Sequence, residues 1–151
     1  MLAMRAGGRA EHIPYRGAAL VVPDLIAGNV DFLVEGIASL HPHVRAGALR
    51  GLGVTGAARS PLLPDVPTAM EGGLADFRIL NWFAAFAPAG TPGPPLEAGF
   101  RRAVRSEAVA ARLTENGIDP VGSDAAELAR FWDAEIALWA PVVRAAGVSL
   151  D

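Results

Sequence analysis

No cysteine occurs in the 151 residues. Disulfides, thiolate nucleophiles and cysteine-ligated metal are therefore excluded, while the compartment stays open, since exported proteins also lack cysteine. Lysine is missing too, so the 13 basic side chains besides histidine are all arginine. They are scattered along the chain, and a formal net charge of -3 gives no field that would attract nucleic acid. No apolar run approaches the roughly 18 residues that a membrane span needs. Arg5 and Arg9 interrupt the opening stretch, so it does not read as a signal peptide. As written, the chain is expected to have neither export signal nor anchor, which would leave it in the cytoplasm.

Catalytic patterns are also missing. There is no GxSxG elbow, and Ser39, Ser60, Ser106, Ser123 and Ser149 have no spacing that pairs them with a histidine and an acid. HExxH is absent, and the two histidines of "HPH" (His41, His43) point roughly 200° apart on a helix, so they would not converge on one ion. Asp31 and Glu35, four apart on a strand, would be about 13 Å from each other, too far for a general acid and base pair. Without a P-loop or a GxGxxG no nucleotide is indicated. No metal, no cofactor and no enzymatic activity are expected.

What is present is globular: 52% hydrophobic residues against 19% charged. Met1 to Ala6 reads as the tail of a helix closed by Gly7 and Gly8. Residues 11–15 read as a strand, 17–27 as a helix ending at Gly28, 30–35 as a strand buried largely on both faces, 38–46 as a helix stopped by Gly47, and 49–56 as a further strand. That alternation argues for an α/β fold with a mainly parallel sheet. Pro61, Pro64 and Pro67 leave a loop with one helical turn from Thr68 to Gly72. An apolar strand at 77–87 carries Trp82, which reads as core more readily than as a ligand platform, and a lobe boundary is placed near it. Helices follow at 96–107 and 109–116, with Gly117 as stop. Ser123 is the expected N-cap of a last helix with Leu128, Phe131, Trp132, Ile136 and Trp139 on its apolar face. No internal repeat is evident.

Two strand-to-helix junctions stand out. Tyr15, Arg16 and Gly17 occupy the first, and Glu35, Gly36, Ile37, Ala38 and Ser39 the second. Such junctions gather free backbone N–H groups at the positive end of a helix dipole, which suits a small anion, with arginine or tyrosine as extra donors. The plainer alternative stands beside it: Tyr15 packs on a sheet edge, Arg16 is solvated and Gly17 permits a turn.

The segments "HIPYRGAALVVPDLIAGNVDFLVEG", "HPHVRAGALRGLGVTGAARSPLLPDVPTAMEGG", "NWFAAFAPAGTP" and "IDPVGSDAAELARFWDAEIALWAPVVRAAG", in that order, resemble the tripartite tricarboxylate transporter substrate-binding proteins, the Bug family of bacterial solute receptors. The resemblance implies a periplasmic receptor of the type II periplasmic-binding-protein kind. Two α/β lobes would close on a small carboxylate solute and deliver it to membrane permease subunits, with no reaction carried out. It also implies that Tyr15 to Gly17 and Glu35 to Ser39 hold the ligand's carboxylate. Family members are about twice as long. On that basis residues 1–80 correspond to most of lobe two, residues 81–151 to the hinge strand and the C-terminal part of lobe one, and an N-terminal portion is missing. Half a receptor would expose apolar surface at Phe100, Phe131, Trp132 or Trp139, so a homodimer is a possible outcome. The alternative function is a remnant that binds nothing and only associates with itself.

Overall fold

The computed structural model describes residues 1–147; Ser149 lies outside them. Among the described residues six helices are formed: α1 Leu2–Arg5, α2 Ala18–Ile26, α3 Ile37–Arg45, α4 Gly93–Val104, α5 Glu107–Glu115 and α6 Ala125–Ala146. The described residues fall into two compact units. One is built from Leu2–Ala85 with Arg112–Ile118, the other chiefly from Phe86–Ala111 and the residues from Asp119 on.

The helices follow their local signals. α1 is closed where Gly8 N–H donates to the Ala3 carbonyl at 2.9 Å. α2 and α3 run into Gly28 and Gly47, both left-handed. Pro94 and Pro95 stand in the first turn of α4, where a missing N–H costs nothing, and the chain breaks at Arg105 and Ser106 before α5. The cap of α6 corrects the expectation: Asp124, not Ser123, is the N-cap. Its carboxylate accepts from Glu127 N–H at 2.7 Å, and Glu127 accepts in return from Asp124 N–H at 2.8 Å. A carboxylate that can complete this reciprocal box satisfies two orphan N–H groups, which a serine one residue earlier cannot reach.

The expected strands are a larger correction. Among the described residues none of 11–15, 30–35, 49–56 and 77–87 forms a strand, and the mainly parallel sheet is reduced to one parallel bridge, Val54 with Thr68. Val54 N–H donates to Pro67 O at 2.9 Å, Ala69 N–H to Val54 O at 2.8 Å, and Ile79 N–H to Thr55 O at 3.3 Å. A ladder needs a neighbour for every second N–H and C=O; here the neighbours run out after one pair. Nor is 30–35 buried on both faces, since Phe32 and Val34 are exposed.

A repeat, not evident in the sequence alone, emerges once the helix bounds are known. Gly17 to Gly28 and Gly36 to Gly47 are 19 residues apart and share glycine, alanine, proline, alanine and glycine at Gly17/Gly36, Ala19/Ala38, Pro23/Pro42, Ala27/Ala46 and Gly28/Gly47. Both helices thus start after glycine and carry proline at their sixth position.

The core of the first unit is small. Val21 and Val22 of α2 are buried, as are Leu63, Val66, Thr68 and Phe77 from the loop and the segment after it. The loop that supplies three of these six is held by one carboxylate. Glu71 accepts Arg59 Nε at 3.0 and 3.1 Å on its two oxygens and Thr68 N–H at 2.6 Å, while Glu71 N–H donates to Thr68 Oγ1 at 3.1 Å. The bonds from Arg59, with that from the Thr68 backbone, lower the Glu71 pKa from its usual 4.5 to about 2. The native state then binds fewer protons than the unfolded chain between these values. The stabilisation is complete above pH 4.5 and is lost as pH falls toward 2. The melting temperatures of wild type and Glu71→Gln should therefore differ most above pH 5 and converge on acidification; a constant difference down to pH 2 would contradict the linkage.

Candidate functional site

The structure places the two predicted junctions at the starts of the twin helices α2 and α3. Gly17 and Gly36 are the N-caps, and neither offers a side-chain cap. Leu20 N–H donates back to Gly17 O and Ser39 N–H to Gly36 O, at 3.2 and 3.0 Å. The N–H groups of Ala18, Ala19, Ile37 and Ala38 make no hydrogen bond among the described residues. These are the orphan donors that a helix start leaves for water, side chain or ligand.

The predicted side chains divide by what holds them. Arg16 is exposed. Tyr15 is half-buried, and its hydroxyl donates to Asp24 Oδ2 at 2.7 Å. Asp24 also accepts from Asn29 Nδ2 at 3.1 Å. Its carboxyl pKa is lowered, first by the bond from Tyr15 and then by that from Asn29; the Tyr15 phenol is raised by the same bond to Asp24. Glu35 turns onto its own neighbour, accepting Gly36 N–H at 2.7 Å. An internal carboxylate thus stands at the positive end of α3.

Ile37 serves packing. A Cβ on Gly117 would lie 2.5 Å from Ile37 Cγ2 and 3.0 Å from Leu62 Cδ1, so α3 starts against a residue that has to be glycine on steric grounds as well as for its φ of +71°. Ala38 is exposed. Ser39 lines an open groove of about 640 Å³ between α2 and α3, with His43 on its own helix and Ala18, Ala19, Val22 and Pro23 opposite. His41 is turned to the Ile37 carbonyl, 3.2 Å from Nδ1.

Three residues that the sequence reading passed over stand close to these positions. Asp24 and Asn29 fix Tyr15, nine and fourteen residues downstream of it, separations at which no pattern announces a contact. Asn81 brings its amide nitrogen within 3.5 Å of where a Gly36 Cβ would be. "NG" or capping signals do not reach across such distances in sequence.

Residues 1–148 match the sequence model of the tripartite tricarboxylate transporter family receptor. The chain belongs to this family. A UPF0065 protein in the tcbD-tcbE intergenic region of Pseudomonas sp. (strain P51) is 37% identical over 147 residues, which cover 95% of this chain and 44% of that one. A UPF0065 protein in the clcB-clcD intergenic region of Pseudomonas knackmussii is 31% identical over 147 residues, covering 95% of this chain and 87% of the relative. Among solved structures, R. palustris Rpa4515 with adipate superposes with a TM-score of 0.86 at 31% identity, over 98% of this chain and 50% of that chain. MatC (Rpa3494) from Rhodopseudomonas palustris with bound malate gives 0.75 at 32% identity, over 94% and 50%. The periplasmic binding protein BugD gives 0.81 at 27% identity, over 98% and 51%.

The fold is accordingly that of the periplasmic-binding-protein-like receptors, and the family is one of solute receptors, not of enzymes. The chain spans about half the length of the solved structures, and 44% of the Pseudomonas P51 relative. In this family member no helix among the described residues is long and apolar enough to cross a membrane.

The twin glycines are predicted to behave differently. Gly17 has φ +100°, whereas Gly36 has φ -58° and an added Cβ would meet only Asn81 Nδ2 at an ordinary 3.5 Å. Gly17→Ala should destabilise by about 1–2 kcal/mol, and Gly36→Ala should be neutral or stabilising by up to about 1 kcal/mol. Urea unfolding of both variants checks this; equal losses would contradict it.

Proposed function

We propose that this chain is the carboxylate-binding part of a periplasmic solute receptor of a tripartite tricarboxylate-type uptake system. The reading is carried by the paired, uncapped starts of α2 and α3, which leave two backbone N–H groups free at each, with Arg16 directly before the first pair's N-cap. A carboxylate is the small anion such donors suit. Rpa4515 with adipate and MatC with malate, each superposing on this chain, support a small dicarboxylate as solute class. In this reading Tyr15, Arg16 and Gly17 form one side of the site and Glu35, Gly36, Ile37, Ala38 and Ser39 the other. Arg16 pairs with the anion, and Glu35 receives a ligand hydroxyl or amine where one exists.

Residues 1–80 then correspond to most of one lobe, and 81–151 to a hinge segment and the returning part of the other. The extended segments at 30–35, 49–56 and 77–87 become strands of a mainly parallel sheet when the remainder of a receptor of this family supplies their neighbours. Permease subunits in the membrane are the downstream partner. A panel of mono-, di- and tricarboxylates followed by thermal shift tests the binding. At a ligand concentration of a hundred times Kd, the melting temperature should rise by about 5–10 °C, and Arg16→Glu should remove most of the rise. A cooperative melt that no acid moves would refute carboxylate binding by this chain.

A second reading, self-association, is favoured by the exposed apolar side chains. Phe83 and Phe86 are 80% and 73% exposed, and Phe100 and Trp132 are also on the surface, although Phe131 and Trp139 are half-buried. Phe86 packs edge-on against Trp132, with centroids 5.8 Å apart, which covers only part of either ring. Light scattering after size exclusion should then give a homodimer that Phe83→Ser with Phe86→Ser dissociates. A folded wild-type monomer would eliminate this reading.

A further inference from the structure

We infer that Asp24 is a positioning residue for the carboxylate site, acting through Tyr15 to fix the direction in which Arg16 and the first N–H groups of α2 are presented. The inference rests on the reading above that the start of α2 holds an anion. Residues 9–16 make a single hydrogen bond among the described residues, from Tyr15 Oη to Asp24 Oδ2 at 2.7 Å. Everything that fixes the course of this segment by hydrogen bonding therefore passes through one phenol. Between that phenol and the helix stands only Arg16 and the N-cap glycine, whose φ of +100° and ψ of 167° are one choice among the many open to a residue without Cβ. Released from Asp24, Arg16 would sample orientations that a ligand would have to freeze again, and affinity would fall by that ordering cost.

Asp24 is itself held. Its second carboxylate oxygen accepts Asn29 Nδ2 at 3.1 Å, and its carbonyl accepts Asn29 N–H at 2.8 Å. The carboxylate is thus clamped between the segment before α2 and the loop after it. The same geometry decides the role of Tyr15. A phenol has one proton to donate, and here it goes to Asp24. What remains exposed is oxygen lone pairs, which a ligand carboxylate cannot use. Tyr15 orients the site and does not donate to the anion.

The test uses the purified 151-residue chain, titrated calorimetrically with adipate and with malate, alongside Tyr15→Phe, Asp24→Ala, Asp24→Asn and the double variant Tyr15→Phe/Asp24→Ala. Tyr15→Phe and Asp24→Ala should each weaken binding about ten-fold. The double variant should lose no more than either single, because both remove one shared bond. Asp24→Asn, which still offers an acceptor, should restore part of the loss. Asn29→Ala, which loosens Asp24 without touching the Tyr15 bond, should weaken binding about two- to three-fold; it keeps the test valid if Asp24→Ala fails to fold. Losses that multiply in the double variant, or a loss in Tyr15→Phe with none in Asp24→Ala, would show that Tyr15 touches the ligand and would overturn the inference. A wild type that binds neither acid would sink the carboxylate reading itself, and the positioning role with it. Because Tyr15 is the only tyrosine, tyrosinate absorbance reports it alone: it should ionise above the ordinary phenol range in wild type and return to that range in Asp24→Ala. Identical titrations would mean that the bond is not made in solution.

Discussion

The first unit depends on the carboxylate of Glu71. The loop around it carries three prolines and cannot use regular backbone pairing to hold its shape. Leu63, Val66 and Thr68 are buried from that loop, as are Val21 and Val22 from α2, and Arg59 and Thr68 converge on one side chain that holds the loop's course. Both partners in the ion pair are nearly half exposed, so Coulomb attraction alone contributes little. The geometry matters more: one carboxylate closes the turn at Thr68 and ties it back to Arg59, twelve residues earlier, with Arg59 also donating to Pro64 O at 3.3 Å.

Helices were legible because their signals are local. A glycine after the last turn, a proline in the first and an acidic capping box act within four residues, and the described helices follow such signals to within about three residues, α4 running from Gly93 to Val104 where 96–107 is expected. The strand pattern was equally local, with Val30, Phe32 and Val34 alternating, but a strand is a relation between segments. Its donors and acceptors need partners that a single segment cannot specify. Here the segments are present and the partners largely are not, so the pattern survives as exposed apolar side chains on unpaired backbone.

The same division runs through the site. Positions at helix starts could be read from the sequence, because a glycine before an apolar run marks where free N–H groups will be. What the side chains do there could not. Tyr15 is claimed by Asp24 and Glu35 by the Gly36 backbone, while Ile37 is packed closely against Gly117. Each outcome depends on which competing partner comes closest in three dimensions.

The repeat of α2 and α3 shows how far a shared backbone plan can diverge in chemistry. Each helix follows a glycine N-cap, and neither glycine supplies a side-chain cap. At the first, the nearby side chain is a cation and the conformation requires glycine; at the second, the preceding side chain is an anion already bonded to the backbone, and the conformation does not require glycine. Two otherwise similar helix starts thus become unequal. The α2 start keeps free N–H groups next to a cation in sequence, whereas at α3 the Glu35 carboxylate already accepts from the Gly36 N–H at the positive end of the helix.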